Sequence, residues 1–351
     1  MIKVNTYKMM GLSQHIALGA LWLFVVVLSS CFKEKPYAPP TDTEVGQTAI
    51  IPMGPEYMDQ FYYSLESNKV VSNNPRSAYH LMFDCAADKF NVWLNTSMFM
   101  SVLETDKFSF DEVTLQDSVG KDWRYDYGAF RIDSNAIGQW WQAGGGEPVS
   151  KNKIYIVSLG VNNEGELLGF IKLRINNFSN SSYSITYQNF GSTDTANFTI
   201  VKDATNNYAY LSFTNNAGVV TGIEPAKPEW DLCFTRYTVG FYNVLGVSFL
   251  PYLVTGVLNN PEHTTAYMDS TIAFDSITIA NFDFSRLQSH RDGVGYEWKR
   301  YSGFTETGTY SMNSHYIYYI KTGEDKFYKL RFLEFSKDGV RGYPTFEYYR
   351  L

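Results

Sequence analysis

Cysteine, histidine and basic residues are all scarce in this 351-residue chain, and each shortage excludes a class of protein. Three cysteines are too few for a disulfide scaffold or a multi-cysteine zinc module. The 29 basic residues are outnumbered by 36 acidic ones and form no block, so the chain lacks the positive charge that drives nucleic-acid binding. No nucleic-acid partner is expected.

Short catalytic motifs are also missing. The chain contains no H-E-x-x-H, G-x-S-x-G, G-x-x-x-x-G-K or C-x-x-C. Only five histidines are present, and the scattered acidic residues do not single out a pair by their spacing. The sequence therefore predicts a protein that is not an enzyme, and an envelope hydrolase is the weakest of the alternatives.

The N-terminal residues read as an export signal. An uncharged apolar run over 16–27 would span about 18 Å as a helix, well short of the ~30 Å hydrocarbon core of a bilayer. The run leads into Leu28-Ser29-Ser30-Cys31, which resembles a bacterial lipobox; the alternative is a chance cysteine beside an ordinary cleavage site. We expect a signal peptide over 1–30, lipidation of Cys31, a flexible linker over 31–50, and an outer-membrane lipoprotein of the bacterial cell envelope.

Aromatic residues are abundant. Tyrosine, phenylalanine and tryptophan make up 17% of the chain, enough to build a sizeable core. Residues 327–335 alternate side chains between two faces, and residues 316–322 are rich in β-branched and aromatic types. No sustained helical period occurs after the signal segment. We predict an all-β, mostly antiparallel fold.

Four blocks of sequence occur twice in the same order. The paired blocks are 62–83 with 210–234, 119–123 with 294–298, 155–160 with 318–323, and Lys172-Leu173-Arg174 with Lys329-Leu330-Arg331. We predict two homologous tandem domains, 51–195 and 196–351. Cys85 and Cys233 fall at non-equivalent places in the two repeats, so two separate buried thiols are favoured over a disulfide.

A family resemblance enters at the second repeat. Tyr210-Leu211-Ser212-Phe213, Val219-Val220 and the stretch from Trp230 to Tyr237 resemble blocks of the HmuY family of lipid-anchored haem-binding proteins. The stretch 318–332 is similar to the closing hairpin of that family. In the first repeat, Tyr79 to Phe83 replaces the family's W-D motif. The resemblance implies an HmuY-like β fold for both repeats, the first one divergent.

The resemblance also implies a ligand. Family members hold haem iron between His or Met side chains, one of them just after a tryptophan-containing strand. Here Gly128 and Gly303 follow Trp123 and Trp298, and glycine cannot ligate iron. The substitutes that we consider as axial ligands are His290 first and Met312 second. Other candidates nearby are Met268, His315, Met98 and Met100, of which the last two are better explained as core residues.

The function implied by the resemblance is non-catalytic capture of haem or a related tetrapyrrole at the outer membrane, with delivery to an outer-membrane transporter. No metal other than haem iron is expected. The alternative is a surface module with the same fold that has lost haem and recognises a glycan or a protein through exposed aromatic residues.

Overall fold

The computed structural model describes residues 46–144, 148–214, 217–244, 246–303 and 308–351. The predicted signal peptide and Cys31 lie outside these ranges. The strands, in chain order, are β1 (Gln47–Ile50), β2 (Asp59–Ser64), β3 (Lys69–Pro75), β4 (Leu81–Asp84), β5 (Val92–Leu94), β6 (Ser101–Glu104), β7 (Trp141–Gln142), β8 (Val149–Ser150), β9 (Tyr155–Ser158), β10 (Phe170–Phe178), β11 (Ser182–Asn189), β12 (Thr195–Val201), β13 (Tyr208–Ser212), β14 (Gly218–Val220), β15 (Leu232–Val244), β16 (Val247–Asn259), β17 (Thr265–Asp269), β18 (Lys299–Tyr301), β19 (Tyr310–Met312), β20 (Ile317–Thr322), β21 (Lys326–Lys337) and β22 (Val340–Arg350).

The prediction of an all-β fold is confirmed. Strands account for 47% of the chain, and every strand pair is antiparallel. The helical segments in the described ranges are single 3₁₀ turns, at Thr96–Met98, Phe110–Glu112, Leu115–Ser118, Ile132–Ser134, Lys227–Glu229, Phe274–Ser276, Ile279–Asn281, Phe284–Arg286 and Gly323–Asp325. None of these helices could cross a bilayer.

β1 begins at Gln47, so the end of the predicted linker is a sheet strand instead of a flexible tether.

Four of the sheets form two modules of the same design. In the first module, a four-stranded sheet in the order β14-β13-β4-β5 accompanies a five-stranded sheet in the order β12-β11-β10-β9-β6. In the second module, the corresponding orders are β3-β2-β15-β16 and β1-β22-β21-β20-β17. Each module has a separate hydrophobic core with residues from both of its sheets, such as Leu81 and Leu173 in the first and Phe234 and Leu330 in the second.

The modules do not follow the division of the sequence at residue 195. Strands β2 and β3 come from the first repeat and β1 from the end of the predicted linker, but all three complete the sheets of the second module. Strands β13 and β14 and nearly all of β12 come from the second repeat and complete the first module. The register pairs Tyr62 with Cys233 and Met82 with Tyr210. Neither 51–195 nor 196–351 therefore contains all the strands of one module. Descent of the two stretches from one unit remains a prediction.

The tryptophans at matched places in the sequence are packed differently: Trp298 is buried in the second core, whereas Trp123 is partly buried against a separate cluster that contains Phe110 and Ile156. Trp298 stacks on Phe332 of β21 with ring centroids 4.0 Å apart, and Trp123 packs on Phe170 of the equivalent strand β10 at 5.7 Å. These contacts explain both tryptophans as packing residues of the five-stranded sheets.

The two described cysteines also behave as predicted. Cys85 and Cys233 are both free and buried. Burial raises the pKa of the Cys85 thiol to about 11 and that of Cys233 to about 12. Both side chains are therefore neutral, apolar filling at physiological pH.

Candidate functional site

The modules differ most at one hairpin. β4 and β5 of the first module have four and three residues, whereas their counterparts β15 and β16 have thirteen each. β2 pairs with β15 only from Leu232 to Phe234, so the rest of the hairpin continues past its sheet as a two-stranded ribbon. We call residues 237–244 and 247–255 the ribbon. Residues 237–261 contain no charged side chain, although 19% of the whole chain is charged.

The base of the ribbon rests on the first module. The backbone N–H of Gly128 donates to the carbonyl of Thr238 at 3.0 Å, and the Thr238 hydroxyl donates to the carbonyl of Thr96 at 2.8 Å. A Cβ on Gly128 would lie 2.4 Å from Cδ2 of Tyr237. Glycine stands here because the tyrosine ring leaves no room for a side chain, so this position supports contact between the modules.

Gly303, the matching position in the second module, is also closely packed. A Cβ there would lie 2.6 Å from Cα of Gly308, beside the β18–β19 hairpin. Neither glycine position has space for a ligating side chain in this arrangement of the chain.

The ribbon carries exposed aromatic residues along its length, with Tyr242 towards its distal end and Tyr252 nearer its base. Tyr242 is 71% exposed and Tyr252 is 54% exposed. Tyr242 packs against Phe249 with ring centroids 5.1 Å apart, and Tyr127 of the first module meets Phe249 edge to face at 5.8 Å. Burial raises the pKa of Tyr127 to about 12. The ribbon end is thus a neutral aromatic surface that is exposed to solvent.

His290 lies at the opposite end of β16. Its loop runs along the edge of that strand, where the N–H of Asn259 donates to the Arg291 carbonyl at 2.5 Å and Val257 bridges Gly295. The His290 side chain is half-buried. The next residue, Arg291, reaches into the first module and lies over the ring of Phe130 at 4.5 Å. His290 therefore stands where the two modules meet.

The surroundings of His290 are charged. Burial raises the pKa of Asp292, while His290 and Arg131 of the first module lower it, so these three groups face a common region. Arg131 is exposed. An imidazole and an exposed guanidinium at one place could serve an iron-bearing ring with carboxylate substituents, because imidazole ligates haem iron and guanidinium pairs with carboxylates.

The other proposed ligands are dispersed. Met312 lies on β19 opposite Lys299 and packs on the second core, and no described contact joins it to His290. Met268 packs on the same core. Met98 and Met100 are buried in the first core, which agrees with their interpretation as core residues. His315 is exposed in the turn before β20, where its ring packs on Tyr316.

One buried histidine is a structural residue that sequence reasoning missed. His80 is 2% exposed, and its Nδ1 accepts a hydrogen bond from the backbone N–H of Phe213 at 3.2 Å. Burial lowers the pKa of His80 to about 4. His80 follows a tyrosine at the start of an apolar strand in the sequence, which is the only signal of its burial.

Two described cavities bear on ligand size. One lies between the modules and has a volume of about 10 Å³; the other, beside β1 and β22 and lined by Glu66, Asn68 and Arg350 among others, has about 270 Å³. Ligand pockets for small molecules and cofactors usually have about 300–1,000 Å³. In the described ranges, no three His, Cys, Asp or Glu side chains are close enough together to hold a metal ion.

The paired sheets define an antiparallel β-sandwich module that occurs twice. The chain belongs to the HmuY family: the family model described as HmuY protein matches residues 56–223 and 254–348. The unmatched stretch between these segments contains β15 and the distal end of β16, and therefore most of the ribbon. No curated protein matches the chain.

Three solved structures are similar to this chain, among others. The apo HmuY analog of Tannerella forsythia shares 8% identity, with 87% of this chain and 95% of that chain covered and a TM-score of 0.23. A structure described as a putative HmuY-like heme binding protein from Bacteroides vulgatus shares 9%, with coverage of 87% and 91% and a TM-score of 0.23. A putative lipoprotein from Bacteroides fragilis shares 12%, covering 50% of this chain and 92% of its own, with a TM-score of 0.19.

Proposed function

We propose that this protein captures haem or a related tetrapyrrole without transforming it, as a lipoprotein anchored at the outer membrane through Cys31. Membership of the HmuY family is the observation that carries the proposal, because it assigns a haem-binding type of module at the family level. An outer-membrane transporter would then receive the ligand.

His290 is the side chain that we assign to the iron. It is half-buried at the boundary between the modules, and the exposed Arg131, which acts electrostatically on the nearby Asp292, would pair with propionate carboxylates. The haem would supply the iron, while the chain would supply an axial nitrogen, a cation for the propionates and apolar contact that excludes water. Release to a partner requires only that these contacts break.

The test is a titration of the purified chain with haemin, followed by the Soret band in the oxidised and reduced states. We expect a saturable shift that His290→Ala weakens at least tenfold and that His315→Ala, a substitution of an exposed histidine, leaves unchanged. A parallel loss in Met312→Ala would assign the second ligand. Absence of a saturable shift in both oxidation states would overturn the proposal.

The ribbon supports a second candidate function, recognition of a glycan or protein. Tyr242, opposite Phe249, is ten residues of β16 away from Asn259, the strand position beside Arg291, or about 34 Å at ~3.4 Å per residue. Tyr252 is seven residues away, or about 24 Å at the same rise. A single macrocycle cannot touch both places. Under this alternative, Tyr242→Ser with Tyr252→Ser abolishes partner capture but leaves any haemin titration unchanged, whereas His290→Ala has the reverse effect.

A further inference from the structure

The cavity between the modules is lined by cationic side chains. Arg236 and Arg291 of the second module both face it, together with Ser97 and Tyr210 of the first. Its volume of about 10 Å³ is sufficient for one particle of the size of a water molecule.

Arg291 is buried there without a carboxylate bonded to it. The side chain is 7% exposed, it lies between the rings of Phe130 at 4.5 Å and Tyr208 at 5.4 Å, and its Nε has no hydrogen-bond partner. Among the residues that the structure describes, no ion pair within 4 Å involves Arg291 or Arg236. An unpaired cation in a region of low dielectric is strongly destabilising.

A third guanidinium increases the positive charge. Arg76 is 3% exposed, its Nη1 donates to the Ser97 carbonyl at 2.5 Å, and its Nε also has no partner. Burial, and then the charge of Arg236, lower the pKa of Arg76 to about 10, which places the two cations within electrostatic range.

The acidic groups nearby do not neutralise this charge. Glu224 interacts electrostatically with Arg291, but its oxygens accept hydrogen bonds from the N–H of Tyr208 at 2.7 Å and Nδ2 of Asn207 at 3.2 Å. Burial raises the pKa of Glu224 to about 7, so the side chain is only partly ionised at neutral pH. Burial lowers the pKa of Arg236 and outweighs the opposing effect of Glu56, with which Arg236 forms no described ion pair.

We propose that this cavity is a binding site for a single small monovalent anion of the size of chloride, held by Arg236 and Arg291 where the two modules meet. A water molecule would satisfy donors, but it would leave the buried positive charge uncompensated. The anion supplies the compensating negative charge. It also links the two arginines of the second module to the aromatic residues of the first module that line the cavity. The anion site does not require the lipid anchor or bound haem, although Arg291 directly follows His290 in the chain.

Bromide provides a direct probe. Crystals of the unaltered protein grown in sodium bromide should show an anomalous peak in the cavity at the bromine absorption edge. Density in the cavity without an anomalous signal would identify water and overturn the proposal.

A stability titration tests the same site in solution. At constant ionic strength, replacing sodium gluconate by sodium chloride should raise the thermal midpoint of the parent protein in a saturable manner. Arg291→Gln or Arg236→Gln should abolish the saturable increase, whereas Arg300→Gln, on the exposed Arg300, should keep it. Equal midpoints in gluconate and chloride would contradict the site, and so would an increase that survives both cavity substitutions. The bromide experiment does not depend on the folding of any variant.

Discussion

Lys172 donates a hydrogen bond from Nζ to the backbone carbonyl of Phe110 at 2.7 Å, and this contact has a counterpart in the other module. Lys329, on the equivalent strand, donates to the carbonyl of Phe274 at 2.8 Å. The neighbouring arginines repeat the arrangement as well, since Arg174 lies over the Phe110 ring at 5.2 Å and Arg331 over the Phe274 ring at 4.2 Å. The repeated Lys-Leu-Arg block thus holds a 3₁₀ turn in each module.

Replacing either lysine should destabilise the module that contains it. Lys172→Met and Lys329→Met keep the apolar stem but leave a carbonyl without its charged donor, so we expect a loss of about 1.5–3 kcal/mol in the free energy of unfolding. Urea denaturation followed by tryptophan fluorescence measures the change.

The matched control is Lys121→Met, at an exposed lysine with no described side-chain hydrogen bond. Variants at Lys172 and Lys329 that unfold at the same urea concentration as this control would show that the two contacts contribute nothing.

Gly128→Ala should weaken the contact between the ribbon and the first module. The new methyl group would overlap the ring of Tyr237, and overpacking of this kind costs about 1–3 kcal/mol. If the ring is the cause, Tyr237→Leu should relieve part of the cost, so the double variant should lose less stability than the two single variants together. Strictly additive losses in a double-mutant cycle would argue against this explanation.

His80 should make the protein less stable in mild acid. Its pKa is about 4 in the folded protein and 6.5 for a free side chain, so protonation favours the unfolded chain. Its contribution is complete above pH 6.5 and is lost as the pH falls to about 4, by about 3 kcal/mol at ~1.36 kcal/mol per pKa unit.

We expect His80→Asn, which keeps an acceptor for the Phe213 N–H, to flatten the dependence of unfolding free energy on pH between 7 and 4. Asp126 and Glu224, whose pKa values burial raises to about 7, are present in both proteins, so the difference between the two profiles isolates His80. His315→Asn provides the control. Parallel profiles for His80→Asn and the parent would refute the assignment.

Cys31→Ala should release the protein from the membrane fraction, because a lipoprotein without its modified cysteine has no acyl chains to insert in the bilayer. Fractionation of cells with immunoblotting, together with incorporation of labelled fatty acid, measures both consequences. The control is the double variant Ser29→Cys with Cys31→Ala, which moves the cysteine by two positions and should not restore attachment to the membrane. Retention of Cys31→Ala in the membrane would exclude the anchor.

The repeated blocks could be found in the sequence, but one further pair was missed. Residues 110–117 (FDEVTLQD) and 274–281 (FDSITIAN) share a phenylalanine, an aspartate, a β-branched residue and a threonine at the same offsets. The two stretches form equivalent 3₁₀ turns under Lys172 and Lys329. Short turns have no hydrophobic period, so this pair is easily overlooked in the sequence, and the lysine contacts make the equivalence plain.

The candidate ligands could be chosen by residue type but could not be assembled. Strand alternation does not tell which sheets share a core, so the sequence could not show that His290 lies in a loop along β16 whereas Met312 lies on β19. The buried arginines were not distinguishable from surface arginines, because burial of Arg291 depends on Phe130 and Tyr208, which belong to distant parts of the chain.

The amino-acid sequence alone determined the all-β class and the repeated order of blocks, because side-chain alternation and turn residues act over a few neighbouring positions. The tertiary structure decided which strands complete which module, since β1 to β3 and β12 to β14 pair with strands more than a hundred residues away in several cases. It also decided that three arginines meet at one boundary. Many strands of this chain have a similar local preference for pairing. Which two strands pair depends on the hydrophobic core that the pairing buries, and that core forms only when the whole chain is folded.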